Sequence, residues 1–91
     1  MKIHIPTPLR AYTAQQETVT VSGTTVASAL EHLVTDFPDL RGNLFGNDGK
    51  LRSFVNVYLN DDDIRYLPLK EAAPVTDADE LTIIPSIAGG R

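Results

Sequence analysis

The chain has 91 residues, of which 42% are hydrophobic, with a formal net charge of -4 and no cysteine. That length and apolar share suit one small folded domain with a single core and argue against disorder. The missing cysteines exclude disulfides, thiolate zinc sites and a thiol nucleophile, and an acidic chain without a cluster of Lys or Arg is not built for phosphate contacts with nucleic acid. No signal peptide is visible after Met1-Lys2, and no apolar run approaches membrane-spanning length, so a soluble cytoplasmic protein is expected.

Lys2-Ile3-His4-Ile5 alternates polar and apolar residues, the period of a strand, until Pro6 and Pro8 remove the N–H groups that a ladder needs. Leu9 to Gln16 is a connection. Glu17-Thr18-Val19-Thr20-Val21 alternates again and is rich in β-branched residues, ending at Ser22-Gly23, so the first two strands are expected as a hairpin with a long loop. The period then changes. Val26, Ala29, Leu30, Leu33, Val34 and Phe37 recur at helical spacing, Thr24 or Thr25 can cap the start, and Pro38 stops the helix after Phe37. Residues 38 to 50 are rich in turn formers, with Leu40, Leu44 and Phe45 expected to tuck under the sheet as a short helical turn.

Phe54-Val55-Asn56-Val57-Tyr58-Leu59 is the strongest strand pattern, with Val55, Val57 and Leu59 on one face and Phe54, Asn56 and Tyr58 on the other. Asn60 to Asp63 reads as a turn, Ile64-Arg65-Tyr66 as a short return strand, and Leu69 to Ala73 as a turn of helix. The last strand carries Leu81, Ile83, Pro85 and Ile87 in alternation with Thr82, Ile84, Ser86 and Ala88. After it come Gly89-Gly90 and then Arg91. Taken alone, a Gly-Gly end is compatible with an ordinary frayed terminus. It is also slim enough to let another protein approach the backbone closely.

One helix laid across one mixed sheet is the economical core for these elements. The expected class is α+β, a β-grasp or ubiquitin-like fold with one main helix on a mixed four- to five-stranded sheet. The expected division is a β-grasp domain over residues 1–87 and a Gly-Gly tail over residues 88–91. In this arrangement the first and last strands lie side by side in the sheet centre, so the tail leaves a rigid body.

The hairpin Phe54-Val55-Asn56-Val57-Tyr58-Leu59-Asn60-Asp61-Asp62-Asp63-Ile64-Arg65 resembles the central hairpin of the MoaD/ThiS family of ubiquitin-like sulfur carriers, and in particular its CysO-type branch, used in cysteine synthesis. The ending from Asp77 to Gly90 and the start, Ile5-Pro6-Thr7-Pro8-Leu9-Arg10, resemble the same branch, so the similarity spans nearly the whole chain. It implies a protein co-substrate rather than an enzyme. An E1-like partner using ATP would adenylate the Gly90 carboxylate, and sulfur would replace AMP to leave a Gly90 thiocarboxylate, with Gly89 and Gly90 threading the partner's cleft. An acceptor enzyme, such as a PLP-dependent cysteine synthase, would take the sulfur, and no cofactor would be bound permanently. The family resemblance leaves open a molybdopterin- or thiamine-related pathway as the destination of the sulfur. The departure is Arg91, which leaves Gly90 without a carboxylate and implies trimming by a zinc-dependent peptidase.

Other candidate sites are weaker. Asp61-Asp62-Asp63 lacks the spaced ligands of a calcium loop, and a solvated turn is the simpler reading. His4 and His32 are isolated in sequence with no evident partner for proton transfer, and no phosphate-cradling glycine loop or nucleophile elbow is present. Phe54, Tyr58 and Ile84 are expected to face away from the helix, either as a partner-binding patch or as scattered surface apolar area. Two functional classes follow: a sulfur carrier, or a ubiquitin-like modifier or interaction module that need not be activated. Fold alone does not choose between them.

Overall fold

In the computed structural model, which describes residues 1–85, five strands form one mixed sheet. They are β1 (Lys2–His4), β2 (Thr18–Thr20), β3 (Val55–Leu59), β4 (Asp62–Asp63) and β5 (Glu80–Pro85), in the spatial order β2-β1-β5-β3-β4. β5 runs parallel to β1, with Ile3 beside Leu81, and antiparallel to β3, with Val57 beside Ile83. The strand period of two therefore stacks Ile3, Val19, Val55, Val57, Leu81 and Ile83 on one face, and all six are buried. This is the β-grasp arrangement expected from the element order, with five strands.

The helix α1 (Val26–Asp36) covers that face. Its buried residues are Val26, Ala29, Leu30, Leu33 and Val34, the stripe anticipated from spacing, while Phe37 beyond its end is only partly buried. Its start is a capping box with serine in place of the usual Glu: the Ser28 N–H donates to Thr25 Oγ1 at 3.1 Å and the Thr25 N–H to Ser28 Oγ at 3.0 Å. Gly23, which ends β2's run, does more than break a strand. A Cβ there would stand 2.8 Å from the Ala29 backbone nitrogen, so only glycine lets the approach to α1 pass this close.

Two connections differ from the sequence expectation, and two others follow it. The long hairpin loop is a 3-10 helix over Thr7–Thr13, which buries Leu9 and Thr13 and places the Thr13 hydroxyl within reach of the Arg10 and Gln16 carbonyls. The return strand is not Ile64-Arg65-Tyr66 but Asp62–Asp63; Ile64–Tyr66 coils into a 3-10 turn. The cause is local: the Asp63 carboxylate accepts the Arg65 N–H at 2.9 Å, turning the chain so that Ile64 enters the core. The segment after α1 holds a 3-10 turn, Pro38–Leu40, and a short helix, α2 (Arg41–Leu44); Leu40 and Leu44 are buried as expected, and Phe45 is partly so. The helical turn expected near Leu69 is present at Lys70–Ala72.

The entry into β5 is pinned by side chains. Asn60, at the β3–β4 turn with φ of 55°, donates its backbone N–H to the Glu80 carbonyl and accepts the Glu80 N–H on its side-chain oxygen. Its amide also reaches Asp79, whose other carboxylate oxygen accepts the Thr76 N–H at 2.8 Å. That backbone bond, followed by the Asn60 amide, holds the Asp79 carboxyl below its ordinary value.

Two outcomes follow from this packing. Val57 is 1% exposed. Val57→Asp would bury an unpaired carboxylate and is expected to cost at least about 3 kcal/mol; an unchanged urea midpoint would contradict the facing of β3. Asp79 titrates lower in the folded than in the unfolded chain, so its contribution is complete above the ordinary aspartate value of 3.8 and is lost as pH falls through the folded value. The gap in urea midpoint between the natural chain and Asp79→Ala is therefore expected to stay constant at neutral pH and to close on acidification below that value. A gap that persists into strong acid would show that the carboxylate charge does not act here.

Candidate functional site

The site starts from the strand that leads into the tail. β5 is hydrogen-bonded on both sides, to β1 and to β3, so its last described residue, Pro85, is held opposite Val55. Gly89, Gly90 and Arg91, the tail positions singled out from sequence, lie outside the described residues, as do Ser86 and Ile87. What the structure defines is the fixed base from which they continue.

The face of the sheet away from α1 surrounds that base. Ile84 lies opposite Asn56, and Tyr58 opposite Thr82, so Ile84 falls between Phe54 and Tyr58 along the neighbouring strand. Phe54 and Ile84 are 43% and 44% exposed, and Tyr58 is half-buried. Of the three residues expected to face away from the helix, the register puts Tyr58 and Ile84 on the helix-free side, and Phe54 stands exposed in the turn just before β3. The Arg52 guanidinium stands 5.9 Å from the centre of the Phe54 ring, within the range of a cation–π contact, and gives the apolar patch a positive border.

The strand register extends the face into a polar row. Thr18, His4, Thr82, Tyr58 and Asp63 lie side by side across β2, β1, β5, β3 and β4. His4 is not isolated, as its sequence setting had suggested. Its Nε2 meets the Glu80 carboxylate, and its Nδ1 lies 3.4 Å from the Thr18 hydroxyl. The His4 hydrogen bond is the largest cause that holds the Glu80 carboxyl below its ordinary value. No sequence pattern links residues 76 positions apart; a parallel β1–β5 pair does. His32 also has partners: its Nδ1 lies 3.0 Å from the Ser22 backbone nitrogen and its Nε2 3.2 Å from Asp36, one turn along α1. The Asp36 spacing was visible in the sequence, and the Ser22 contact was not.

Neither histidine lies in a catalytic constellation. Both are surface contacts that tie strands or a loop to the body, and Asp62 and Asp63 serve as backbone of β4. Among the described residues, no group of three or more His, Asp or Glu side chains is placed to hold a metal ion, and no helix is long and apolar enough to cross a membrane. The arrangement can offer a partner an apolar, positively bordered face beside an anchored chain end.

Comparison with known proteins agrees with this arrangement. The model of the ThiS family matches residues 3–90. The sulfur carrier protein CysO of Mycobacterium tuberculosis is 37% identical over 90 residues, covering 97% of this chain and 96% of that protein. The crystal structure of the Amycolatopsis orientalis BexX/CysO complex contains a chain with a TM-score of 0.86 and 36% identity, covering 98% of each chain. The solution structure of small archaeal modifier protein 1 from Methanosarcina acetivorans has a TM-score of 0.87 at 26% identity, covering 98% of this chain and 94% of that one. With a family match running from the first strand to Gly90, this chain belongs to the ThiS family.

Proposed function

We propose that this chain is a sulfur carrier protein, the substrate of an E1-like activating enzyme rather than an enzyme itself. The observation that carries the reading is the family match that ends on Gly90, a few residues past a strand locked in the sheet centre. A rigid body can be recognised by its face while a slim glycine end reaches into a cleft that would reject a Cβ.

The chemistry is ordered by Arg91. While it is attached, the Gly90 carbonyl belongs to an amide and offers no carboxylate. Hydrolysis of the Gly90–Arg91 bond, assigned here to a zinc-dependent peptidase, releases arginine and leaves the Gly90 carboxylate. One of its oxygens attacks the α-phosphorus of ATP on the partner, expelling pyrophosphate and giving an acyl adenylate. Hydrosulfide then adds to the Gly90 carbonyl carbon and AMP leaves, giving the thiocarboxylate. Its sulfur is the nucleophile delivered to an acceptor enzyme, for which a PLP-dependent cysteine synthase fits the similarity to CysO. ATP is bound by the partner, and this chain holds no permanent cofactor. A second reading, conjugation of Gly90 to a lysine amine, is supported by the similarity to small archaeal modifier protein 1.

The test uses two forms, one ending at Arg91 and one ending at Gly90, each incubated with an E1-like enzyme, ATP and sulfide and then weighed intact. Conversion of oxygen to sulfur is expected on the Gly90-ended form alone. Equal conversion of both forms would remove the blocking role of Arg91, and conversion of neither, with an enzyme active on its own carrier, would favour an interaction module that is not activated. The docking role of Phe54, Tyr58 and Ile84 is checked separately. Tyr58→Glu with Ile84→Glu is expected to weaken calorimetric binding to the activating enzyme by about tenfold or more, a loss of at least 1.4 kcal/mol, with circular dichroism unchanged. Unaltered affinity would place the interface elsewhere.

A further inference from the structure

The sheet has two edges, β4 and β2, and they are built differently. β4 is two residues long, carries Asp62 and Asp63 directly after Asp61, and coils at once into the turn at Ile64. A short, charged edge discourages pairing with another chain. β2 is Thr-Val-Thr, without charge. Its inner side is fully used by β1 and the residues that flank it. The Val21 N–H donates to the Met1 carbonyl at 2.9 Å, the Met1 ammonium donates to the Val21 carbonyl at 3.0 Å, and the Ile5 N–H donates to the Glu17 carbonyl at 2.8 Å. Antiparallel alternation then turns the backbone groups of Thr18 and Thr20 outward, away from β1. Among the described residues, nothing bonds to those N–H and C=O groups. The next outward positions on either side are closed: the Gln16 N–H is taken by the Thr13 carbonyl at 3.0 Å, and the Ser22 N–H by His32 Nδ1 at 3.0 Å.

We propose that this edge pairs with the same edge of a second copy, antiparallel, about a two-fold axis through Val19. Three observations select this occupant. The open edge is its own complement. With Val19 on the axis, Thr18 of each copy lies opposite Thr20 of the other, and every outward N–H finds an outward carbonyl. The side chains that meet are neutral. Thr18 faces Thr20 on the helix-free side, where Thr–Thr pairs suit an antiparallel ladder, and Glu17 falls opposite Val21. The two Glu17 carboxylates stand four positions out of step, about 13 Å along the strand. The acidic run Asp61 to Asp63 of each copy lies at the far edge of its own sheet, away from the seam.

The pair is one continuous sheet with five strands from each copy, and both helix-free faces look to the same side. Tyr58 and Ile84 sit on β3 and β5, with β1 between them and the seam, so pairing leaves that patch open in both copies. Neither the pairing nor its test depends on the sulfur-carrier reading.

The test needs only this protein, over a concentration series that extends into the millimolar range. Sedimentation is expected to show the average mass rising from that of one chain, 9.9 kDa, toward twice that value. Amide hydrogen exchange reads the seam itself. Val21, already bonded to Met1, exchanges slowly at every concentration. Thr18 and Thr20 exchange fast when dilute and slow by about tenfold once nine-tenths of the chains are paired. Thr20→Pro removes a donor that nothing within the described chain uses, at a position where an edge strand accepts proline. It is expected to stay at the mass of one chain throughout, with its remaining amide spectrum retained. Thr18→Lys with Thr20→Lys sets like charges across the seam, as does Thr18→Glu with Thr20→Glu. Each of these is expected to stay single alone and to pair when the two are mixed. A natural chain that keeps the mass of one copy at all concentrations would overturn the proposal and leave the edge to an extended segment of another protein. Doubled mass with unaltered exchange at Thr18 and Thr20 would also overturn it, as would pairing that survives Thr20→Pro or a charged pair that does not associate on mixing.

Discussion

Everything in this molecule depends on β5 being the middle strand. It pairs parallel with β1 and antiparallel with β3, and its inward residues Leu81 and Ile83 are essentially inaccessible to solvent. The last segment before the tail is therefore among the hardest to displace, because moving it breaks two ladders and opens the core at once. Side chains reinforce its first residue: Asn60 clamps the Glu80 backbone, Asp79 closes the turn before it, and His4 reaches the Glu80 carboxylate from β1. A chain end that must be presented to another protein gains from such a base, since order already present in the free body does not have to be created on binding.

The same placement divides the molecule into two working sides. Because side chains alternate along β3 and β5, one face closes on α1 while the other carries Tyr58 and Ile84, with Phe54 exposed in the turn before β3. The helix-free face has an apolar area near the exit of β5 and a polar row through His4 and Thr82. The helix side, beyond the end of α1's coverage, leaves a furrow lined by Leu51, Val55 and Glu71. The end of β5 lies between these two surfaces.

Acid-sensitive contacts cluster at the start of β5 rather than at its end. The Asp79 and Glu80 carboxyls are both held below their ordinary values by hydrogen-bond donors, whereas the helix surface contributes an exposed Arg41–Glu31 pair. Exposed pairs of that kind add little to stability. The carboxylates at the β5 entry differ in accepting backbone or cross-strand hydrogen bonds that close a turn or join strands.

Periodicity alone determined much of this protein. Alternation marked β1, β2, β3 and β5, helical spacing marked α1, Pro38 marked its end, and the hairpin and ending residues pointed to the family that the whole-chain comparison bears out. These signals are local: each depends on how one element buries one face. Tertiary structure decided what depends on distant chain segments or competing local bonds. Ile64 left the expected strand because Asp63 captured the Arg65 N–H, and Gly23 became irreplaceable only where α1 passed over it. His4 gained Glu80 through a parallel register that no spacing encodes, and the furrow exists only where Leu30, Leu51, Val55 and Glu71, far apart in the chain, converge. Sequence period records which side of an element is buried; only the packed chain records what each side meets.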